Sequence, residues 1–354
     1  MTASLPPTLL YPQSTPPAAG KVIAVAPGIR WLRMPLPFAL DHINLWLLED
    51  EIEGVRGWTA VDTGYGNDLT RELWATHLAE NLDGKPLLRV IATHYHPDHM
   101  GNAAWLLERT APPEPLLWAT QSEFHTAHLV WNQLVQYRMA DNAAFFIRHG
   151  MPADASGMQA ERGNQYRKGV PELPQSYRRI HRDDVIHIGG HEWRILIGLG
   201  HSPEHASLHC SALGVLISGD MLLPKISTNV SVWASDPLGD PVGLFLESIQ
   251  RYTALPDDTL VLPSHGLPFL GIRSRVTALL DHHRDRLAEL EAAIGQPATA
   301  FDVLSVLFRR KLDLQQQFFA MGEAIAHLNH SWHAGRLFRA IGPDSVIRFS
   351  RIQT

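Results

Sequence analysis

Directly after the apolar run Leu87–Ala92 the chain reads Thr93-His94-Tyr95-His96-Pro97-Asp98-His99, which places four potential metal ligands within six residues. Neutral imidazole and carboxylate are good ligands for Zn²⁺. Packing gives no reason to gather them, because each buried polar group would need its own partner. The preceding run has the length and composition of a buried strand, so the four groups fall at a strand-to-loop junction. The arrangement recurs further on, where apolar runs end at Gly200-His201-Ser202-Pro203, at Ser218-Gly219-Asp220 and at Pro263-Ser264-His265-Gly266. Five histidines and two aspartates at strand ends are enough for two metals with three protein ligands each and one shared, bridging carboxylate. A lone metal does not need seven.

The chain has 354 residues, which at about 150 per domain predicts one large domain with a smaller companion. With 36 acids against 30 bases, a net charge of −6 and 45% hydrophobic residues, it is neither a disordered acidic tail nor a generally basic nucleic-acid binder. The single cysteine, Cys210, has no internal partner, and the N-terminus lacks the basic-then-apolar pattern of a signal peptide, so a cytoplasmic address is expected. Every long apolar run is broken by charge, Gly or Pro, which predicts no membrane span.

Residues 1–20, with Pro6, Pro7, Pro12, Pro16 and Pro17, read as an extended arm. Strand signals at Val22–Val25, Ile29–Met34, Ile43–Leu48 and Trp58–Val61 open a first β-rich half, followed by a helix around Asp68–Asn81. The stretch from about Gln121 to Gln165 has helical spacing and gives way to the irregular Gly169–Ser176, predicting a helical cap inserted over about 121–180. A second β-rich half follows with Val185–Ile188, Trp193–Ile197, Ala206–Cys210, Val215–Ile217 and Thr259–Leu262. Beyond Gly271 come helical segments at Ser274–Ala293, Ala298–Arg310 and from Leu314 toward Leu337, then a hairpin-like end near Val346–Phe349. The organisation expected is an arm (1–20), a catalytic domain (21–290) and a winged-helix-like domain (291–354).

In that last domain the helix from Leu314 to His333 carries no Lys or Arg, so a nucleic-acid face is not favoured. Contact with another subunit, as in a homo-oligomer, or closure of the active-site edge is the expected use. Cys210 reads as an inert core thiol, and His282 and His283, among charged neighbours, read as a solvated helix face.

The His94-to-His99 run matches the H-x-H-x-D-H pattern in full. On it, and on the later His, Asp and His in the same order, the sequence resembles the metallo-β-lactamase superfamily over roughly residues 22–290. The resemblance implies an α/β fold, an αββα sandwich with a dinuclear metal centre on one edge. By position it implies that His94, His96 and His201 hold the first metal, that Asp98, His99 and His265 hold the second, and that Asp220 bridges them. Asp62, in the turn Asp62-Thr63-Gly64, matches a further family motif and would orient a ligand. Two such metals lower the pKa of a bridging water, so the expected chemistry is hydrolysis by a metal-bridging hydroxide, with Asp98 orienting it or handling its proton. Zn²⁺ is the default, and Fe²⁺ and Mn²⁺ suit the same donors.

Asp220 argues against a true zinc β-lactamase, which usually lacks this aspartate. Met221, Leu222 and Leu223 offer no tyrosine of the kind typical of lactonases. Persulfide dioxygenases use one iron and need no second set. The branch favoured is the glyoxalase II-like one, acting on a thioester or related acyl ester of a small molecule, with Phe124, Trp131, Tyr137, Phe145 and Phe146 of the cap roofing the metals. The alternatives are a phosphodiesterase or endoribonuclease, suggested by the C-terminal domain, and a lactonase. His205 and His209 follow the His201 loop as supporting or structural groups, and Lys225, Ser227 and Asn229 lie on a loop that could line the pocket.

Overall fold

The computed structural model describes residues 9–111, 115–154 and 163–352. The first eight residues of the Pro-rich arm and residues 155–162 of the expected cap lie outside them. The first sheet runs in chain order: β1 (Ile23–Ala26), β2 (Ile29–Pro35), β3 (His42–Ile52), β4 (Val55–Val61), β5 (Leu87–Ile91), β6 (Leu117–Ala119) and β7 (Tyr177–Arg179). Its first four strands pair antiparallel and the rest parallel. The second sheet comprises β8 (Val185–Ile188), β9 (His191–Gly198), β10 (His205–Cys210), β11 (Val215–Gly219) and β12 (Leu260–Pro263), in the order β12-β11-β10-β9-β8. Here β11 and β12 are the parallel pair, and the helix Pro241–Arg251 lies in the crossover that a parallel pair requires.

Strand side chains alternate between the two faces of a sheet, and that alternation builds three apolar layers. On β3, Trp46 and Leu48 face inward while Ile43, Leu45 and Leu47 face outward; on β2, Trp31 faces inward and Leu32 and Met34 outward. The inward set meets Trp193, Ile195, Leu208, Val215, Ile217 and Leu262 of the second sheet, forming the core between the sheets. The outward set of the first sheet is covered by the helix Asp68–Glu80 through Trp74, by Ala103–Leu107 and by Gln121–Trp131 through Phe124. Leu216 and Val261 of the second sheet face outward onto the helices Pro241–Arg251, Ile272–Ala293 and Leu314–His333. The result is the αββα sandwich.

The C-terminal elements do not stand apart from this sandwich. One continuous core contains Phe145 and Phe146 of the cap helix Met139–Arg148, Met221 and Val232 beyond β11, and Phe318, Met321 and Ile325 of the helix Leu314–His333. Phe146 sits 4.7 Å from Phe318 and 5.9 Å from Trp233, ring centre to ring centre. Of the aromatics expected to roof the metals, Phe124, Trp131, Phe145 and Phe146 instead pack the cap onto the layers beneath it. The last strands, β13 (Leu337–Ile341) and β14 (Ile347–Arg351), form an antiparallel hairpin after the helix. None of the described helices is long and apolar enough to cross a membrane.

His283 departs from the solvated face expected for it. It is buried against Phe245 and stacks on His327 of the C-terminal helix, its Nδ1 3.3 Å from His327 Nε2. The pattern of charged neighbours misleads because His283 shares the helix face of Val276, Leu279, Leu287 and Leu290, which is the buried one.

The shared core has two measurable consequences. Phe146→Ala removes a fully buried ring and should lower unfolding free energy by about 3–5 kcal/mol in urea titrations. Burial holds His283 at about 3 and His327 at about 4. The folded state therefore refuses protons that the unfolded chain takes up below its ordinary value of about 6.5. Stability should fall as pH drops from about 6.5 toward 4, by up to about 1.4 kcal/mol per pH unit for each histidine. A His283→Gln/His327→Gln double variant should lose less stability than the parent chain over that range, read as the shift in urea midpoint.

Candidate metal centre

Five strands end on one edge of the sandwich, and each delivers part of the site. Asp62 follows β4, His94 to His99 follow β5, His201 follows β9, Asp220 follows β11 and His265 follows β12. Pro97 opens the short helix Pro97–Met100, where its fixed φ suits the first helical position, and that turn sets Asp98 and His99 beyond the two preceding histidines. Gly219 precedes Asp220 with φ of +53°, and a Cβ there would lie 2.2 Å from His205 Nε2. Only glycine fits, because the His205 ring needs that space to accept the Asp220 backbone N–H at 3.1 Å.

The ligating atoms of His94, His96 and His201 cluster together, as do those of Asp98, His99 and His265. His94 Nε2 lies 2.9 Å from His96 Nδ1 and 3.2 Å from His201 Nε2. Nitrogens bound tetrahedrally at about 2.0–2.1 Å from one zinc stand about 3.3 Å apart, so the spacing matches a shared cation. In the second set, Asp98 Oδ2 is 3.6 Å from His99 Nε2 and 3.5 Å from His265 Nε2. Asp220 reaches both sets: its Oδ1 lies 3.5 Å from His99 Nε2 and 3.4 Å from His265 Nε2, and its Oδ2 lies 3.4 Å from His201 Nε2.

The electrostatics fit a cation as well. Burial, with the neighbouring imidazoles, holds His94 and His96 well below the ordinary histidine value, leaving neutral rings with a free lone pair. Burial would push His99 and His265 down too, but carboxylates outweigh it and raise both: Asp62, Asp98 and Asp220 around His99, and Asp220 and Asp98 beside His265. Asp220 is held well below the usual carboxylate range: burial acts to raise it, and the His265 and His99 imidazoles prevail. The carboxylates therefore demand positive charge, and divalent cations would supply it by displacing the imidazole protons. His99 Nε2 and Asp220 Oδ1 are both buried without a hydrogen-bond partner, a costly condition that a metal between them would relieve.

Four of the seven groups are steered from behind. Asp62, held at φ of +63°, accepts hydrogen bonds from the Thr93 backbone N–H (2.7 Å) and hydroxyl, and its Oδ2 lies 2.8 Å from His99 Nδ1. That contact leaves Nε2 of His99 as the atom that would face a metal. The backbone carbonyls of Asn229 and His42 accept from His201 Nδ1 and His265 Nδ1, each at 2.8 Å. Thr228 Oγ1 donates to the Asp220 carbonyl at 2.5 Å. The buried Arg275 guanidinium donates to the carbonyls of Leu223 (2.5 Å) and Ile226 (2.7 Å), bracing the loop beyond Asp220.

The sequence reading missed His42, Thr93, Arg275, Tyr65 and Glu123, none of which belongs to a spaced motif. Tyr65 stands beside the site; burial, then the charge of Asp98, raises its phenol. Phe38, largely exposed, meets the Tyr65 ring edge-on at 5.3 Å. Lys225 and Ser227 lie exposed on the loop beyond Asp220, and Asn229 contributes through its backbone carbonyl.

A model of the metallo-beta-lactamase superfamily matches residues 40–265. The chain belongs to the metallo-β-lactamase superfamily. A second model, the metallo-beta-lactamase-like C-terminal domain, matches residues 287–352. A beta-lactamase domain protein from Burkholderia ambifaria is similar in structure, with a TM-score of 0.90 at 48% identity over 97% of this chain and 98% of that one. A metallo-beta-lactamase family protein from Thermus thermophilus gives 0.75 at 29% identity, over 93% and 100%. A probable metallo-hydrolase of Bacillus subtilis is 24% identical over 304 residues, covering 84% of this chain and 90% of its own length. A linear primary-alkylsulfatase of Pseudomonas sp. is 25% identical over 241 residues, 67% of this chain and 44% of the sulfatase. The superfamily binds divalent metals, and the chain is a metal-dependent hydrolase of it.

Asp220→Ala should lower metal content toward one ion per chain and cut kcat by about 100-fold or more, read by elemental analysis beside kinetics. Full activity with undiminished metal would remove Asp220 from the centre.

Proposed function

We propose that this superfamily member hydrolyses a thioester or related acyl ester of a small molecule, in the manner of the glyoxalase II-like branch, with two divalent metals, Zn²⁺ by default, in a cytoplasmic setting. The observation that carries the reading is Asp220, whose two carboxylate oxygens face two separate ligand sets. His94, His96 and His201 would hold one metal and Asp98, His99 and His265 the other. When bound, such a pair supplies a nucleophile at neutral pH and polarises the attacked oxygen. Asp98, in contact with His99 and His265, is placed to hold or pass on a proton as the acyl bond breaks.

The surroundings favour a neutral acyl group over an anionic sulfate ester or phosphodiester. Two arginines bonded to the ligand loops are already committed: Arg33 donates to the Gly266 carbonyl at 2.6 Å, and Arg275 holds Leu223 and Ile226. Phe38 and Tyr65 offer an apolar lip beside Asp98. The C-terminal helices and hairpin, winged-helix-like in their order, serve this reading as a wall rather than as a nucleic-acid reader. The helix Leu314–His333 holds the segment that carries the His201 support: the Val232 N–H donates to the Gly322 carbonyl at 3.0 Å, and Asn329 Nδ2 donates to the Gly239 carbonyl at 3.0 Å.

A second reading, hydrolysis of a primary alkyl sulfate, is favoured by the similarity to the Pseudomonas alkylsulfatase. Both are tested by assaying the metal-loaded protein against an acyl-glutathione, an acyl-coenzyme A, a lactone, a phosphodiester, a short RNA and a primary alkyl sulfate. Thioester turnover that chelation abolishes and added Zn²⁺ restores is expected. Turnover of the alkyl sulfate, the phosphodiester or the RNA, with the acyl substrates untouched, would overturn the acyl assignment.

A further inference from the structure

We propose that Glu123 is a positioning residue that fixes the His94, His96 and His201 ligand set by clamping its two loops together. Glu123 lies in the first turn of the cap helix Gln121–Trp131, and its side chain is fully buried. Its Oε2 accepts the backbone N–H of Tyr95 at 2.9 Å, and its Oε1 accepts the Ser202 hydroxyl at 2.6 Å and the Glu204 backbone N–H at 2.7 Å. Tyr95 lies between His94 and His96, and Ser202 follows His201. One carboxylate thus spans a loop of the first sheet and a loop of the second, which are also joined by the Ala206 N–H donating to the Thr93 carbonyl at 2.8 Å and by contact between the His94 and His201 rings. The same helix end is locked to the second loop twice more, by Thr120 Oγ1 donating to the Glu204 carbonyl at 2.9 Å and by the Ser122 N–H donating to Glu204 Oε2 at 3.1 Å.

The chemistry calls for an acceptor-only group. Three donors converge on the two oxygens, and a carboxylate accepts them all. Glutamine at this position must turn its NH₂ toward either the Tyr95 N–H or the Glu204 N–H, so one backbone donor loses its acceptor whichever way the amide lies. The effect should also be one-sided. His99 and His265 are steered by Asp62 and by the His42 carbonyl, and Glu123 makes no hydrogen bond to either of those groups. Removing the clamp should therefore loosen the three-histidine set and spare the other.

This inference rests on the two-metal reading, and the experiment separates them. Zn²⁺ binding is titrated against a chromophoric chelator for the parent chain, Glu123→Gln and Ser202→Ala, with His201→Ala and His265→Ala marking which of two dissociation constants belongs to which set. Unfolding midpoints of the metal-free proteins are measured alongside. Glu123→Gln should raise the constant marked by His201→Ala by about 10–100-fold and leave the one marked by His265→Ala nearly unchanged. Ser202→Ala removes one donor while keeping the carboxylate; it should weaken the same constant by less, and it keeps the test open if Glu123→Gln does not fold. Unchanged constants in a folded variant would overturn the proposal, as would equal weakening of both together with a lowered midpoint, which marks a merely structural carboxylate. A parent chain that binds only one Zn²⁺ would overturn the two-metal reading and take this inference with it.

Discussion

Seven groups able to hold metal share one corner at the edge of the sandwich, and the carboxylates among them call for positive charge between them. Ring nitrogens of His94, His96 and His201 stand 2.9 and 3.2 Å apart, and three carboxylates crowd the His99 ring. Without cations the corner would have to be held by imidazole protons. With them, the same groups would serve as their ligands. Most of what surrounds the corner can be understood as holding groups in place that would otherwise move apart.

That holding is divided among separate pieces of chain. The first sheet fixes His99 through Asp62 and Thr93, and the turn after β12 is tied to the start of β3, where the His42 carbonyl takes His265 Nδ1 and the His42 ring takes the Gly266 N–H. The second sheet fixes Asp220 through His205 and the glycine beneath it. His201 depends on the carbonyl of Asn229, and the residues just beyond it lean on the C-terminal helix at Gly322 and on the cap at Asn142. The C-terminal elements thus reach the chemistry through the backbone that orients a ligand, and the apolar core they share with the cap makes that route stiff.

Much of the centre was legible in the chain because metal chemistry demands particular residue types, and strand ends put them at recognisable places. His94 to His99 announce themselves by density; His201, Asp220 and His265 by standing where apolar runs stop. The groups that support them left no such trace. Glu123 is one carboxylate in an ordinary helical turn, and His42 acts partly through its carbonyl, which any residue could offer. Layer membership was legible wherever period-two alternation was strong, as on β2 and β3. It failed on the long helix, where His283 sits among charged residues yet shares the apolar face. It failed too in the cap, whose aromatics are spaced for a helix but give no indication of which core they enter. The short strand β7 falls inside the span expected for the helical cap, because three residues carry too little pattern to register.

The burial of those aromatics shifts the question of specificity to other parts of the chain. With Phe124 stacked on Tyr177, and Phe146 wedged between Trp233 and Phe318, the cap's large side chains act on the fold rather than on a substrate. What remains beside the metal ligands is a thinner set: Tyr65 near Asp98, Phe38 exposed at its edge, and the loop beyond Asp220 with Lys225 and Ser227 toward solvent. The ligands are anchored to two sheets, whereas Phe38 and the 225–227 stretch stand on irregular chain, where side chains can change at small cost to the cores. A hydrolytic centre held by strands and a rim carried on loops lets one scaffold serve different substrates. On that division of labour, residues outside the motifs decide which substrate this chain takes.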